Sequence, residues 1–283
     1  MRALVTGAGG QLGKAMLGCL SDWDVKGFTR AELDITDGRA VTAAVKEMHP
    51  DFVINCAAYT DVDGAERDVD AAMRVNGDAV KGLAAACREV GAALVHFSTD
   101  YVFDGTKQSA YTIFDDPDPL SVYGTSKLVG ERLAILFASP KVFILRTSWL
   151  FASDGANFVE KVYQAGTRQG WVKVVSDHRG CPTFADDLAG ATRALLSTGR
   201  YGLYHVTNQG ETTWYDFARA IFEQAGVPVD VHPISSRELG RPARRPENSV
   251  LDPYPLTETI GYQLPTWENA LSRWLSRRKV SVT

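Results

Sequence analysis

Cysteine and histidine are scarce in this chain, with 4 and 5 of each among 283 residues. Cys19, Cys56, Cys87 and Cys181 show no C-x-x-C spacing and no close pairing with histidine. That argues against a zinc site or a disulfide framework, and buried free thiols are expected. No run of about eighteen apolar residues occurs, so no membrane-spanning helix is expected. The opening MRALVTGAGG enters a strand almost at once, without a charged and then apolar leader. It reads as the start of a cytoplasmic protein. Positive charge is not in excess either: 30 Lys and Arg face 34 Asp and Glu, a net charge of −4. This argues against a general nucleic-acid binder, which needs a basic surface to neutralise phosphates. A small anionic ligand is still allowed, because it needs only a local cluster. There are no repeats, and the one biased segment is RPARRP at 241–246.

What is present is a regular alternation. Ala3 to Thr6, Val25 to Phe28, Phe52 to Asn55, Ala92 to Ser98 and Val142 to Leu145 read as short strands. Between them lie helical stretches: one through Leu20, one over Val41 to Met48, one within 69–90, and one from Leu120 to Phe137. Strand and helix alternating at this spacing predict an α/β fold with a doubly wound parallel sheet. After Leu150 the regularity weakens. Asn157 to Thr167 reads as a helix, Val172 to Val175 as a strand, and Asp186 to Leu196 as a helix returning to the sheet. Residues 227–262 are rich in Pro and Arg without a long periodic segment, and Pro265 to Arg278 closes the chain as a helix. The later pieces predict a smaller, discontinuous α/β lobe over the carboxyl edge of the sheet.

Thr6-Gly7-Ala8-Gly9-Gly10-Gln11-Leu12-Gly13 follows a strand and opens a helix. Glycines at 7, 10 and 13 allow a tight turn, close approach of backbone to a pyrophosphate, and close helix–strand packing. The helix N-terminus supplies free N–H groups and a positive dipole to the anion. An acid at the end of the second strand would hold an adenosine ribose diol. Here that strand ends Phe28-Thr29-Arg30, and a hydroxyl with a guanidinium suits a 2′-phosphate. NADPH is therefore the expected cofactor, with NADH as the alternative. A merely solvated Arg30 is the competing reading.

Tyr123 and Lys127 lie four residues apart, which on a helix puts them on one face. An ammonium beside a phenol is expected to lower its pKa from the free value of about 10 towards the useful range. Such a pair arises often by chance. Thr99, at the carboxyl end of an inner strand, is where ligands bind in open α/β sheets, and its hydroxyl can steer a proton to or from Tyr123.

These residues sit within a longer set of blocks: TGAGGQLG at 6–13, LDITD at 33–37, NCAAYTDVD at 55–63 and VN at 75–76. STDYVFDG at 98–105, YGTSK at 123–127, RTSWLF at 146–151, RGCPTFADDLA at 179–189 and RPENSVLD at 245–252 complete it. The set resembles the dTDP-4-dehydrorhamnose reductase family of the extended short-chain dehydrogenase/reductase superfamily, over nearly the whole chain. The resemblance implies a Rossmann-like NAD(P)-binding domain, placed at 1–150 and 185–226, and a substrate lobe at 151–184 and 227–283. It implies NAD(P)H-dependent reduction of the C4 ketone of dTDP-4-dehydro-β-L-rhamnose to dTDP-L-rhamnose. In it Tyr123 matches the proton donor, Lys127 the residue holding the nicotinamide ribose, and Thr99 the hydroxyl beside the substrate oxygen. Gly10, Gln11 and Leu12 would line the pyrophosphate, Asp34 and Ile35 border the adenine, and Ala58, Tyr59 and Thr60 follow the cofactor. Asp100 and Trp149 match substrate contacts, although Trp149 reads equally as a core aromatic and Asp34 as a helix-start residue.

Arg237, Arg241, Arg244 and Arg245 concentrate charge where a nucleotide diphosphate could be gripped, Arg245 foremost. Some family members carry an interface metal with an acidic ligand just after the glycine turn. Lys14-Ala15 stands there instead, so no metal is expected, and Asp186 and Asp187 read as a helix first turn. A homodimer stays open. The competing functions are another nucleotide-sugar reductase or epimerase, and a non-catalytic subunit like the regulatory one of methionine adenosyltransferase.

Overall fold

The computed structural model describes residues 1–281. Six parallel strands form the main sheet: β1 (Arg2–Thr6), β2 (Asp24–Phe28), β3 (Phe52–Asn55), β4 (Ala93–Thr99), β5 (Val142–Thr147) and β7 (Gly202–His205). Their order across the sheet is β7-β5-β4-β3-β1-β2. Order reverses between β1 and β3, where a doubly wound sheet opens a crevice at its carboxyl edge. A strand buried on both faces must be apolar at successive positions, and β4 is buried along its whole length.

Neighbouring residues of each strand feed opposite cores. Val5, Ile54, Val95 and Leu145 pack under α1 (Gln11–Cys19) and α6 (Ala185–Thr198), through Met16, Leu188 and Leu195. Leu4, Val53, Leu94 and Ile144 pack under α2 (Gly38–Met48), α3 (Ala79–Val90) and α4 (Val122–Ala138). The helical stretch anticipated within 69–90 holds a π turn at Arg74–Asp78 just before α3.

The second lobe begins beyond β5. It comprises α5 (Phe158–Gln169), β6 (Trp171–Val175), α7 (Trp214–Ala225), β8 (Asp230–Ile234) and α8 (Trp267–Ser281). β8 runs parallel to β6 within the segment expected to lack regular structure. The strand β7 and the helix α7 were both missing from the sequence reading. α7 lies in the stretch grouped with the sheet domain, yet Phe217 and Ile221 pack with Val159, Trp267, Leu271 and Trp274 of the lobe. α6 and β7, from the same stretch, do pack on the sheet.

Candidate active site

The glycine turn is built by contact. Gly7 takes φ +65°, and its amide-bearing turn closes with Gly10 N–H donating to the Gly7 carbonyl at 2.9 Å. A Cβ on Gly13 would stand 2.2 Å from that same carbonyl oxygen, so the first turn of α1 can approach β1 only without a side chain. Gly13→Ala should therefore shift the turn at a cost of about 1–3 kcal/mol. We expect NADPH affinity to fall about tenfold or more in a fluorescence titration, with a lower Tm.

Beyond the turn lies a cleft of about 1170 Å³ over the carboxyl ends of β1, β3, β4 and β5. Gly7, Gly10, Gln11, Leu12, Arg30, Asp34, Ile35, Ala58, Tyr59, Thr60, Thr99, Asp100, Tyr123, Lys127 and Trp149 all line it. Of the residues singled out from sequence, Gly13 stands behind this lining and Arg245 lines an adjoining cleft. Arg30 is strongly exposed and its Nε reaches Asp34 at 3.4 Å. Asp34 caps no helix: it accepts from the Thr36 amide and hydroxyl, and these bonds hold its carboxyl below the usual range. The helix cap is Asp37, which accepts from Arg39 and Ala40. Loop 58–60 is braced by Asn76, which bonds both the amide and the carbonyl of Tyr59 and the Ser126 hydroxyl.

Whether a dinucleotide fits can be tested on unpaired polar atoms. Buried Gln11 Oε1, Ser98 Oγ and Thr147 Oγ1 have no partner among the described residues, and all three residues line the cleft. Buried polar groups are normally hydrogen-bonded. With the glycine cradle, these donors and acceptors suit a dinucleotide.

Tyr123 is positioned from its helix start. Ser121 caps α4 by accepting from Gly124, and Glu66 accepts from the Val122 amide at 2.9 Å. A Cβ on Gly124 would lie 2.2 Å from the Tyr101 carbonyl, so this glycine lets α4 press against the turn after β4. That brings the Tyr123 phenol to the Thr99 hydroxyl, with the Tyr101 ring edge-on at 6.0 Å.

The pair behaves differently from the expectation. Burial pushes the Tyr123 phenol up to about 12, and the Thr99 hydrogen bond pulls it back only in part. Lys127 is 3% exposed, and its Nζ donates to the Phe97 carbonyl at 2.6 Å. Its ammonium is pushed down to about 8 by burial, opposed by Glu131. One helical turn does place both residues on one face, but the lysine gives one of its three hydrogens to the backbone of β4 and does not lower the phenol.

Trp149 is half-buried with φ +47°, and its ring stacks on Trp214 at 3.6 Å and 7°. It is therefore a cleft wall rather than a core aromatic. Cys56, expected to be buried, is half-buried and lines the cleft; Cys19 is also half-buried, and Cys87 and Cys181 are buried.

Over residues 1–280 the chain matches the RmlD substrate binding domain family. It is 39% identical to the dTDP-4-dehydrorhamnose reductase of Sinorhizobium fredii, with 96% of each chain covered. The chain belongs to this reductase family. Among solved structures, the dTDP-4-dehydrorhamnose reductase of Bacillus anthracis in complex with NADP has a TM-score of 0.94 at 39% identity, covering 98% of this chain and 99% of that one. The Clostridium acetobutylicum orthologue gives 0.95 at 40%, covering 99% and 100%. The Thermus thermophilus UDP-glucose 4-epimerase, at 22% identity, shares the fold.

In this member of the reductase family a second cleft, of about 1100 Å³, adjoins the first and shares Tyr101, Thr60 and Trp214 with it. Arg237, Arg241, Arg244 and Arg245 all line it, with Lys161, Lys173 and His178. Arg245, the favoured diphosphate ligand, is engaged otherwise. It makes two 3.0 Å bonds to Asp63, and Arg241 reaches the same carboxylate at 3.4 Å. Sequence reasoning missed Asp63, although it ends the NCAAYTDVD block. Arg237 and Arg244 are exposed and have no ion-pair partner among the described residues, which leaves them the freer anion ligands. Asp186 and Asp187 do start a helix, and they pair with Arg277 and Arg273.

Proposed function

We propose that this chain reduces the C4 ketone of dTDP-4-dehydro-β-L-rhamnose with NADPH, giving dTDP-L-rhamnose. The observation that carries the reading is the convergence of Tyr123, Thr99 and the glycine turn on one cleft, in a chain of this reductase family. When bound, NADPH supplies the hydride that reduces the ketone carbon. The residues supply the rest. Tyr123 donates its phenolic proton to the carbonyl oxygen as negative charge develops there, and the Thr99 hydroxyl offers that oxygen a hydrogen bond. A phenol held near 12 is a firm proton carrier that gives up its proton only to a strongly basic oxygen. This favours release late, when the oxyanion has formed. Lys127, charged below about pH 8, suits the nicotinamide ribose. The amides at the start of α1 suit the pyrophosphate, and Asp34 with Ile35 the adenosine. The adjoining arginine-lined cleft suits the sugar nucleotide's diphosphate, and Trp149 and Asp100, which line the first cleft, suit its sugar.

Following NADPH absorbance while dTDP-4-dehydrorhamnose is generated in situ tests the reading, and no oxidation would overturn it. One 38%-identical relative is named dTDP-4-keto-6-deoxy-D-glucose reductase, so that ketosugar is the competing substrate to run alongside. Arg30→Ala should raise KM for NADPH about tenfold, the scale of one charge-assisted contact. KM for NADH should not change, and equal effects on both cofactors would remove Arg30 from 2′-phosphate recognition.

A further inference from the structure

Arg244 stands between two residues that are tied to one carboxylate. The Ala243 amide donates to Asp63 Oδ1 at 3.1 Å, and Arg245 grips both Asp63 oxygens from Nη1 and Nη2 at 3.0 Å each. Arg245 Nη1 also donates to the Ala243 carbonyl at 2.9 Å, which closes a ring around the residue between them. Arg241 Nη1 approaches the same carboxylate at 3.4 Å. The Arg244 side chain itself is exposed, lines the arginine-rich cleft and has no ion-pair partner among the described residues.

We propose that Asp63 is a positioning residue for the sugar nucleotide: it fixes the chain on both sides of Arg244 so that this guanidinium meets the diphosphate. The proposal deepens the reading of the second cleft as the diphosphate site and rests on it.

Asp63 is itself firmly supported. It lies in a helical turn at Val62–Ala65, capped by Asp61, which accepts from the Gly64 amide at 2.9 Å. A Cβ on Gly64 would stand 2.3 Å from Asp61 Oδ2 and 2.8 Å from the Tyr59 hydroxyl, so the turn is packed onto its own loop. Asn76 holds Tyr59 at both its amide and its carbonyl. A braced piece of the sheet domain thus presents the carboxylate to a segment about 180 positions later. Burial pushes the Asp63 carboxyl up, but its bonds to Arg245 and Ala243 outweigh that and hold it below the usual range. It therefore stays ionised at neutral pH.

Two consequences favour a role in binding. A loop that is free in solution loses backbone and side-chain freedom when it grips a ligand, whereas one already tied down has less to lose. A guanidinium also matches a phosphate best when its fork is held in a fixed orientation. Asp63 neutralises Arg245, and the unpaired charge of Arg244 is left for the ligand.

A double-variant cycle read by calorimetric binding of dTDP tests this. Asp63→Asn keeps the size and an acceptor for the Ala243 amide but loses the charge that holds Arg245. It should weaken dTDP about tenfold, the scale of one charge-assisted contact, and so should Arg244→Ala. The double variant should lie within about twofold of Arg244→Ala, because Asp63 acts through Arg244. Asp63→Glu restores the charge and should recover most of the loss. The effect should fall on KM for the sugar nucleotide, with NADPH affinity and kcat within a few fold of wild type. Losses that multiply to about a hundredfold in the double variant would overturn the proposal, since the two residues would then act independently. So would Arg244→Ala that binds dTDP like wild type, or Asp63→Asn that melts lower yet binds it unchanged, which is a structural clasp alone. An equal loss of NADPH affinity would likewise overturn it, by moving the damage to the cofactor loop. Wild type that binds no dTDP would sink the diphosphate reading itself, and the proposal with it.

Discussion

Tyr123→Phe is expected to lower kcat by about 10²–10⁴-fold while leaving KM within a few fold of the wild type, the span of a lost general acid. The ring is half-buried, and what is removed is a hydroxyl whose partner, Thr99, retains its bonds to Asp100 and the Tyr101 amide. Stability should therefore change little. Steady-state rates with NADPH and a circular-dichroism melt separate the two effects. A variant of equal rate would show that solvent protonates the ketone oxygen. A large loss of Tm would move the fault from chemistry to packing.

Glu131→Gln is expected to be the most damaging single change to stability. Glu131 and Arg146 meet in a two-pronged pair at 2.9 and 2.7 Å, their side chains 4% and 3% exposed. Arg146 Nη1 has no bonded partner among the described residues, and the guanidinium lies 5.1 Å from the Phe103 ring centre. Removing one partner strands a buried charge, at a cost of about 3–5 kcal/mol. At roughly 2–4 °C per kcal/mol for a chain of this order, Tm should fall by roughly 6–20 °C. The double variant Glu131→Leu with Arg146→Met removes both charges and should recover much of that loss. If the double variant is as unstable as the single, charge burial is not the cause. Glu131 also favours the Lys127 ammonium one turn earlier on α4, so the loss of kcat expected as that ammonium discharges above about pH 8 should move to lower pH in the single variant.

The inner strands of the sheet were legible because they are buried on both faces, and runs such as Ala93-Leu94-Val95 admit few other readings. The cofactor turn was legible because Gly7 and Gly13 face backbone atoms that leave no room for a side chain. Trp214–Ala225 carried usable signals that went unread: the Thr213 cap, the spacing of Phe217, Ile221 and Phe222, and the left-handed Gly226. β7 is four residues long, too short for periodicity to speak. Two features lay beyond sequence patterns. Spacing places Tyr123 and Lys127 on one face but says nothing of depth, and depth above all drives the phenol up, with the Asp100 carboxylate adding to it, while the ammonium goes to Phe97. Asp63 and Arg245 lie 182 positions apart, and only the folded chain joins them.

The paired indoles have an optical consequence. Trp149 follows the sheet strand β5, and Trp214 opens the lobe helix α7, so the two rings at 3.6 Å span the seam between the two parts of the chain. Stacked chromophores at that distance couple their transitions and give a paired near-ultraviolet circular-dichroism band. Any movement of the lobe against the sheet would slide the rings and change that band. The molecule thus carries its own gauge of domain position, readable without a label as ligands are added.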